Sequence, residues 1–269
     1  MKLTQDRIQK YENDGMLFIP NYLSKLEINS VNEAIFQLPD NTPGLVMEKD
    51  CQTIRALHGV HAHSKILQDL IRHPLLLEPA RQILGDSVYL YQFKINMKAA
   101  FTGDLWPWHQ DYAFWYEEDG MPEPRTISIG IFLDEVNQFN GPLYYILGSH
   151  KEGLIDFNTN GSREDAGWEA NVSADLKYCL DNKTITRLVQ KGSLTAPTGS
   201  AGSVFFFHGN IAHASVPNIS PYPRRLLIIT YNSINNIPRS DRKRPEFLVG
   251  KNYTPLEPIV KNNVLLQQI

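Results

Sequence analysis

Hydrophobic residues in the first third of the chain recur at the three- and four-residue spacing of an amphipathic helix. This spacing predicts helices over residues 4–14, 24–38 and 64–84. Gly15 and Gly85 follow the first and the last of these segments, where glycine commonly ends a helix because it adopts positive φ without steric cost. The sequence MLFIPNYLS, between the first two helices, is predicted to form a short strand and a turn.

From Val88 onward the hydrophobic period shortens to two, which is typical of β-strands with one buried face. The alternating segments are residues 88–99, 126–136, 142–149, 193–198, 203–209 and 225–234. Helices followed by many short strands predict an α+β, mainly β chain, in which the helices cover one face of a largely antiparallel barrel or sandwich.

Residues 151–190 interrupt the strand-rich half with a polar stretch that has weak periodicity. A long excursion of this kind is predicted to form a lid over a site. No shift in composition marks a boundary, so residues 1–269 are predicted to form a single domain. Within it, residues 1–87 give mainly helical support, residues 88–235 form the core with its lid insertion, and residues 236–269 extend the C-terminus.

Composition narrows the functional classes. Hydrophobic residues make up 42% and charged residues 20% of the chain, as in ordinary globular proteins. The net charge of −3 and a pI of about 6.2 give no electrostatic basis for binding nucleic acid or an anionic membrane. The short basic run RSDRKR (239–244) is expected to be a solvated loop.

The two cysteines, Cys51 and Cys179, are too few for a disulfide scaffold or a thiolate zinc site. The N-terminus lacks an apolar signal core, and no segment approaches the roughly 18 apolar residues of a membrane span. We therefore expect a cytoplasmic protein, and its oligomeric state stays open.

The main chemical motif begins with His109 and Asp111 in the sequence DLWPWHQDYAFWYEEDGMP. On a strand, residues two apart project from the same face, so the imidazole and the carboxylate would point the same way. They are two legs of a two-histidine, one-carboxylate triad, which holds non-haem iron(II) and leaves open positions on the metal. Since a His-x-Asp pair is common by chance, the inference depends on a second histidine.

The later segment SVFFFHGNIAHASVPNISPYPRRLLIITYN contains two histidines that are candidates for this ligand. His208 and His213 are both candidates, and the spacing favours His213. Arg224 begins the next apolar strand, where its planar guanidinium would grip the far carboxylate of 2-oxoglutarate. Ser215 would add a hydroxyl to the same carboxylate. Arg225 is the rival of Arg224, since neighbouring strand residues face opposite sides and only one can reach the pocket.

Three sequence blocks resemble the phytanoyl-CoA dioxygenase family, and in particular its branch of small-molecule hydroxylases that act on ectoine and free leucine. These blocks are WHQDYAFWYEEDGMP (108–122), NGPLYYILGSH (140–150) and HASVPNISPYPRR (213–225). The resemblance extends from YENDGMLFIPNYLS to about residue 234. It implies a double-stranded β-helix (jelly-roll, cupin-like) core and a dioxygenase that uses Fe(II), 2-oxoglutarate and O2.

The resemblance also implies a role for each matching residue at the metal. His109, Asp111 and His213 correspond to the iron ligands. Arg224 and Ser215 correspond to the residues that hold the far carboxylate of 2-oxoglutarate.

Three further residues complete the implied site. Asn96 corresponds to a co-substrate contact near the metal. Trp106 flanks the metal motif and is interpreted, apart from the resemblance, as a wall beside the co-substrate, with plain core packing as the alternative. Gln92 and Trp115 correspond to positions that line the substrate pocket. No catalytic residue beyond the iron centre is implied.

The remaining polar clusters have plainer interpretations. His58, His61 and His63 lack a carboxylate at suitable spacing and are expected to be satisfied or solvent-facing, with Arg55 or His58 at the pocket entrance. The run Glu117–Asp119 is expected to be solvated, the alternative being a contact with an ammonium group of the substrate. Two acidic residues at a strand end are expected to face solvent: Asp134 and Glu135.

The intact carboxylate of Asp111 favours hydroxylation, desaturation or another oxidative outcome over halogenation, because related halogenases carry a small residue there and bind chloride to the iron. The resemblance therefore predicts hydroxylation of an unactivated C–H bond of a small free amino acid or similar zwitterion, such as leucine, proline or ectoine, in secondary metabolism. One alternative is oxidative tailoring of a larger natural product, for instance an aminoglycoside or a carrier-bound intermediate. Another is a non-catalytic jelly-roll binding protein, against which the intact ligand set argues.

Overall fold

The computed structural model describes residues 2–39, 41–159, 168, 172, 175–239 and 244–259. Among these residues the helices are α1 (Gln5–Asp14), α2 (Lys25–Phe36), α3 (Lys65–Ile71), α4 (Pro74–Leu84), α5 (Asp111–Asp119) and α6 (Asn182–Lys191). The strands are β1 (Met16–Ile19), β2 (Leu45–Met47), β3 (Ile54–His58), β4 (Val88–Lys98), β5 (Trp106–His109), β6 (Thr126–Phe132), β7 (Leu143–Ile146), β8 (Asn158–Thr159), β9 (Tyr178–Cys179), β10 (Leu194–Thr195), β11 (Val204–His208), β12 (His213–Ser215) and β13 (Arg224–Ser233).

The N-terminal helices form where local capping supports them. α2 begins at a capping box, in which the Ser24 hydroxyl accepts from the Glu27 backbone N–H and the Glu27 carboxylate accepts from the Ser24 backbone N–H. The predicted helix over residues 64–84 is in fact two helices. Pro74 opens α4, and the residue before it, His73, has extended backbone because a following proline disfavours helical dihedrals.

The strands form two principal antiparallel sheets. The larger has the order β1-β11-β6-β13-β4-β3-β2, and the smaller has the order β10-β7-β12-β5. β8 and β9 form a separate short pair. The prediction of an α+β, mainly β chain is confirmed.

The two faces of the larger sheet carry different parts of the core. On β13, Leu227 and Ile229 pack with the side chains of the N-terminal helices. Leu226 and Ile228 alternate with them and pack on the opposite face, in a cluster that contains Tyr145 of the smaller sheet. The space between the two sheets is therefore where inward-facing polar residues of β4, β12 and β13 meet.

The predicted lid, residues 151–190, is described only in part, because residues 160–167, 169–171 and 173–174 lie outside the described residues. Its described end returns to the core through β9 and α6. The Leu180 backbone N–H donates to the carbonyl oxygen of Trp108 at 2.8 Å, which ties this end beside β5.

The C-terminal extension packs along β4. Within residues 244–259, the Gly250 backbone N–H donates to the Tyr91 carbonyl oxygen at 2.7 Å, and that of Leu256 donates to Val88 at 2.8 Å. Residues 240–243 and 260–269 of the predicted extension lie outside the described residues.

Both cysteines are free thiols, with Cys51 exposed and Cys179 buried. In the described part of the chain, no helix combines the length and the apolar character that crossing a membrane requires.

Candidate active site

His109, Asp111 and His213 come together where the smaller sheet meets α5. His109 ends β5 and lies directly opposite His213, which begins β12. Asp111 is the first residue of α5, so the prediction that His109 and Asp111 share one strand face is wrong. The chain turns into a helix after Gln110, and Asp111 Oδ1 lies 3.7 Å from Nε2 of His109 and 4.0 Å from Nε2 of His213.

Backbone carbonyls orient both imidazoles. Nδ1 of His109 lies 2.6 Å from the carbonyl oxygen of Pro107, and Nδ1 of His213 lies 3.0 Å from that of Ile211. In the tautomer in which each Nδ1–H donates to its carbonyl, Nε2 keeps its lone pair for a metal. The candidate ligand atoms of the three residues lie within 4.8 Å of one another, a spacing that a single ion can bridge.

The charge states of these groups suit a divalent cation. Burial, assisted by the neighbouring His109, lowers the pKa of His213 to about 3, so its imidazole is neutral near pH 7. Burial alone would raise the pKa of Asp111, but the nearby Lys94 and the two histidines outweigh it and hold that pKa well below its usual range. Two imidazoles and one carboxylate form the donor set of non-haem iron(II) sites.

His208, the rival candidate, lies elsewhere. It ends β11, and its ring contacts that of His150 with 5.3 Å between the ring centroids. Its Nδ1 accepts a hydrogen bond from the Asn210 backbone N–H at 3.0 Å. The structure therefore brings His213, and not His208, to the other two candidate ligands.

A cavity of about 60 Å³ opens beside the three candidate ligands. Residues predicted to bind the co-substrate or the substrate also line it: Gln92, Asn96, Trp106 and Trp115. Lys94 lies between Gln92 and Asn96 at the alternate positions of β4, so all three side chains face the interior. Apolar side chains complete the wall: Phe114, Leu143, Val172, Leu176, Ile228 and Leu248.

Arg224 begins β13 and is buried, with 2% of its surface exposed. Its Nε donates to the carbonyl oxygen of Gly141 at 3.1 Å. Arg224 lines a narrow cavity of about 10 Å³ with Tyr145 and Leu143, and Leu143 lines the larger cavity as well. Ser215 lies opposite Leu143 across the β7–β12 pair. The predicted anchor for the far carboxylate thus stands beside the larger cavity rather than in its wall.

Arg225 faces away from Arg224, as neighbouring strand residues should. Its Nε donates to Asp134 Oδ2 at 2.9 Å, and its backbone N–H donates to the same oxygen at 2.8 Å. The expectation that Asp134 faces solvent is therefore wrong, because that carboxylate anchors the start of β13. Glu135 is exposed, as expected.

Polar atoms without a protein partner cluster at this site. Asn96 Oδ1, Asp111 Oδ2, Tyr145 Oη and Ser215 Oγ are all buried, and none has a hydrogen-bond partner among the described residues. An unpaired buried polar atom costs roughly 1–3 kcal/mol, so such a cluster indicates a ligand. The Asp111 carboxylate suits a cation, and the two hydroxyls, together with Arg224, suit an oxygen-rich anion. The Asn96 carbonyl oxygen is an acceptor and suits a group that donates a hydrogen bond. These residues fit Fe(II) and 2-oxoglutarate.

Two of the three acidic residues at the end of α5, Glu118 and Asp119, are buried and paired, where the sequence predicts solvation. Glu117 is exposed, as expected. Glu118 accepts from Nζ of Lys177 at 2.7 Å and from the Tyr178 hydroxyl at 2.6 Å. Asp119 binds Arg244, whose Nε lies 2.7 Å from Oδ1. These partners are 59 to 125 residues away in the chain, so local sequence could not reveal them.

Arg55 lies behind Trp106 rather than at the pocket entrance. Its guanidinium stacks 3.8 Å from the centroid of the Trp106 ring and forms a buried ion pair with Glu48 at 3.0 Å. His58 lines the cavity, and burial lowers its pKa to about 3. His61 and His63 line a separate groove.

Three residues beside the candidate ligands were missed by sequence reasoning: Lys94, Tyr145 and Arg244. Lys94 Nζ lies 3.5 Å from Asp111 Oδ1, and its period-two spacing from Gln92 and Asn96 is the signal that could have found it. Tyr145 sits in the strand LYYI and has the pattern of a core residue. Arg244 ends the basic run that the sequence predicts to be a solvated loop, yet it lines the cavity.

Comparison with known families agrees with this geometry. The sequence model of the phytanoyl-CoA dioxygenase (PhyH) family matches residues 11–226. The chain belongs to this family. The match begins within α1 and ends within β13, so it includes the three candidate iron ligands and Arg224.

Curated relatives cover most of the chain. An L-proline trans-4-hydroxylase of Streptomyces griseoviridis is 40% identical over 252 residues, which are 93% of this chain and 94% of the relative. An ectoine dioxygenase of Bordetella bronchiseptica is 35% identical over 240 residues, which are 87% of this chain and 77% of the relative.

Solved structures give the same result. The apo form of EctD from S. alaskensis superposes with a TM-score of 0.80 at 27% identity, over 96% of this chain and 87% of that one. The same protein with 2-oxoglutarate and 5-hydroxyectoine gives 0.78 at 27% identity, over 96% and 86%. The jelly-roll fold is confirmed. The chain is an Fe(II)- and 2-oxoglutarate-dependent dioxygenase that hydroxylates a small amino-acid-like molecule, as the sequence predicted.

Proposed function

We propose that this dioxygenase hydroxylates free L-proline or a closely similar small cyclic amino acid. The observation that carries the proposal is the cluster of His109, Asp111 and His213 beside a small cavity whose wall includes the cationic Lys94. The 40% identity to an L-proline trans-4-hydroxylase, over 93% of this chain, supports proline in particular.

In this proposal, His109, Asp111 and His213 hold the iron. Bound Fe(II) supplies the activation of O2 and the oxidative decarboxylation of 2-oxoglutarate to succinate and CO2. The chain contributes orientation: the carbonyls of Pro107 and Ile211 fix both imidazoles, so the ligand atoms converge before the metal arrives.

The co-substrate residues bind the two ends of 2-oxoglutarate. Arg224 and Ser215 bind the far carboxylate, and the Asn96 amide contacts the end nearer the metal. Burial lowers the pKa of Arg224 to about 10, which leaves its guanidinium charged near pH 7 for a strong ion pair in a dry environment. Trp106 forms a wall that the stacked Arg55 holds in place.

The substrate meets the remaining wall of the cavity. The carboxylate of a free amino acid pairs with Lys94 or Arg244, and Phe114 and Trp115 pack on its ring, with Gln92 completing the contacts. The similarity to relatives that act on L-proline and ectoine supports a small substrate over a carrier-bound intermediate or an aminoglycoside.

A substrate panel tests the proposal. Purified protein with Fe(II), 2-oxoglutarate and O2 is expected to form succinate and to add one oxygen atom to L-proline, measured by mass spectrometry, while D-proline serves as the matched control. The His109→Ala variant is expected to lose this activity. The substrate proposal fails if no amino acid stimulates succinate formation while larger metabolites do.

Ectoine is the second candidate, because it is also a small cyclic zwitterion and the ectoine dioxygenase of B. bronchiseptica is 35% identical to this chain. Faster turnover of ectoine than of L-proline in the same panel would make ectoine the first candidate substrate and L-proline the second. Free amino acids and 2-oxoglutarate are cytoplasmic metabolites, so a cytoplasmic location and a role in secondary metabolism form part of the same proposal.

A further inference from the structure

The proposed function gives Tyr145 no specific contact, yet its hydroxyl is a polar group in a fully buried side chain. The residue is 0% exposed, and its Oη has no hydrogen-bond partner in the described part of the chain. Buried tyrosine hydroxyls ordinarily find a partner, because an unpaired one loses its bonds to water without replacement. The missing partner of Tyr145 is therefore expected to be a ligand.

The position of Tyr145 indicates which ligand. On β7 it lies directly opposite His213, and the two rings stack with centroids 5.7 Å apart and 25° between their planes. It also lines the narrow cavity of about 10 Å³ in which Arg224 lies. Tyr145 thus stands between the candidate metal centre and the cation expected to bind the far carboxylate.

Its chemistry suits a donor. A phenol hydroxyl both donates and accepts hydrogen bonds, so Tyr145 is able to donate one to an anion.

Packing alone does not explain the hydroxyl. The ring contacts Phe205 and Phe207, with centroids 5.8 and 5.7 Å apart, and a phenylalanine would make the same contacts. A phenylalanine would also avoid the cost of burying an unpaired hydroxyl. A ligand that accepts a hydrogen bond removes this cost.

We propose that Tyr145 donates a hydrogen bond to the far carboxylate of 2-oxoglutarate, as the third member of an anchor with Arg224 and Ser215. Ser215 lies two residues beyond His213 on β12, so Ser215 and Tyr145 are diagonal neighbours across the strand pair. A carboxylate has about four lone-pair sites, enough for a guanidinium and two hydroxyls. The inference rests on the proposed co-substrate role of Arg224.

The test is binding of 2-oxoglutarate to the Fe(II)-loaded protein without O2, measured by isothermal titration calorimetry. Tyr145→Phe is expected to weaken this binding by about tenfold or more, as loss of a hydrogen bond to a charged group does. 2-Oxobutyrate, which chelates iron in the same way but lacks the far carboxylate, is expected to bind the variant and the original protein equally. The affinity for Fe(II) itself should not change.

Tyr11→Phe is the matched control, because Tyr11 is also buried with an unpaired hydroxyl but lies in α1, outside the site. It should leave the binding of both 2-oxo acids unchanged. Unchanged binding of 2-oxoglutarate by Tyr145→Phe would overturn the inference. An equal loss of both 2-oxo acids would overturn it too, since that result indicates an effect through His213.

Arg224→Leu separates this inference from the proposal on which it rests. If Arg224→Leu leaves 2-oxoglutarate binding unchanged, the assigned co-substrate site is wrong. If Arg224→Leu weakens binding and Tyr145→Phe does not, only the role of Tyr145 is wrong.

Discussion

Two pairs of histidines lie close together in this fold, and only one of them forms a candidate metal centre. The ring centroids of His109 and His213 are 4.2 Å apart, and those of His150 and His208 are 5.3 Å apart. The first pair shares the carboxylate of Asp111. Within the described residues, no carboxylate completes the second pair.

The direction of the ring nitrogens is the second difference. In the metal pair, Nδ1 of His213 lies against a carbonyl oxygen, so the proton belongs on Nδ1 and Nε2 is free to bind a metal. Nδ1 of His208 instead accepts from the Asn210 backbone N–H, which leaves the proton of its neutral ring on Nε2. Proximity of two histidines is thus not enough, since the backbone decides which lone pairs are available.

The largest difference between the two pairs is expected in Fe(II) binding and turnover when one histidine of each pair is replaced. His213→Gln is expected to abolish stoichiometric Fe(II) binding and to lower turnover by at least about 100-fold, because a direct ligand is lost. His208→Gln should keep both. The measurements are iron content after anaerobic reconstitution and succinate formation, and similar losses in the two variants would contradict the comparison.

Lowering the pH should destabilise the folded protein through the second pair, His150 and His208. Burial, with a contribution from His150, lowers the pKa of His208 to about 4 from its ordinary 6.5, so the unfolded chain binds the proton more tightly than the folded chain. Stability from this residue is complete above pH 6.5 and is lost as the pH falls from 6.5 towards 4. The melting temperature of the metal-free His208→Gln variant should therefore fall less steeply over this range than that of the unchanged protein. Parallel curves would rule out the effect.

The smallest effect is expected at His150. Its Nε2 lies 3.1 Å from the carbonyl oxygen of Glu12, a hydrogen bond that ties the loop after β7 to α1. His150→Ala should lower the free energy of unfolding by about 1 kcal/mol, the usual contribution of such a bond, and leave Fe(II) binding unchanged. Chemical denaturation and metal titration measure the two quantities, and a loss of iron would show that the two pairs are coupled.

The candidate ligands could be predicted from the sequence because each lies in a short local motif. His109 and Asp111 are two residues apart, and His213 follows an apolar strand with Arg224 eleven residues later. The reason given for Asp111 was nevertheless wrong, since it begins a helix rather than continuing the strand. Gln110 between them keeps an extended backbone, so both side chains still point to the same site, and the choice of residues was right although the local structure was not.

Other site residues could not be predicted because their partners are distant in sequence. Asp119 and Arg244 form a pair across 125 residues, and each one alone has the pattern of a solvated surface charge. Tyr145 has the pattern of a core residue, and only the unpaired state of its hydroxyl in the fold distinguishes it. Lys94 is the exception, because alternation along β4 was visible in the sequence.

The helix dipole of α5 gives its two ends opposite partial charges. The nine residues of the helix span about 14 Å, and Asp111 occupies the end where the helix dipole stabilises an anion. Glu118 and Asp119 occupy the end where the dipole repels one. Lys177 and Arg244 neutralise that repulsion. A chain truncated after residue 239 would leave Asp119 without its arginine at the negative end of the helix, so unwinding would begin at the end farthest from the iron ligand.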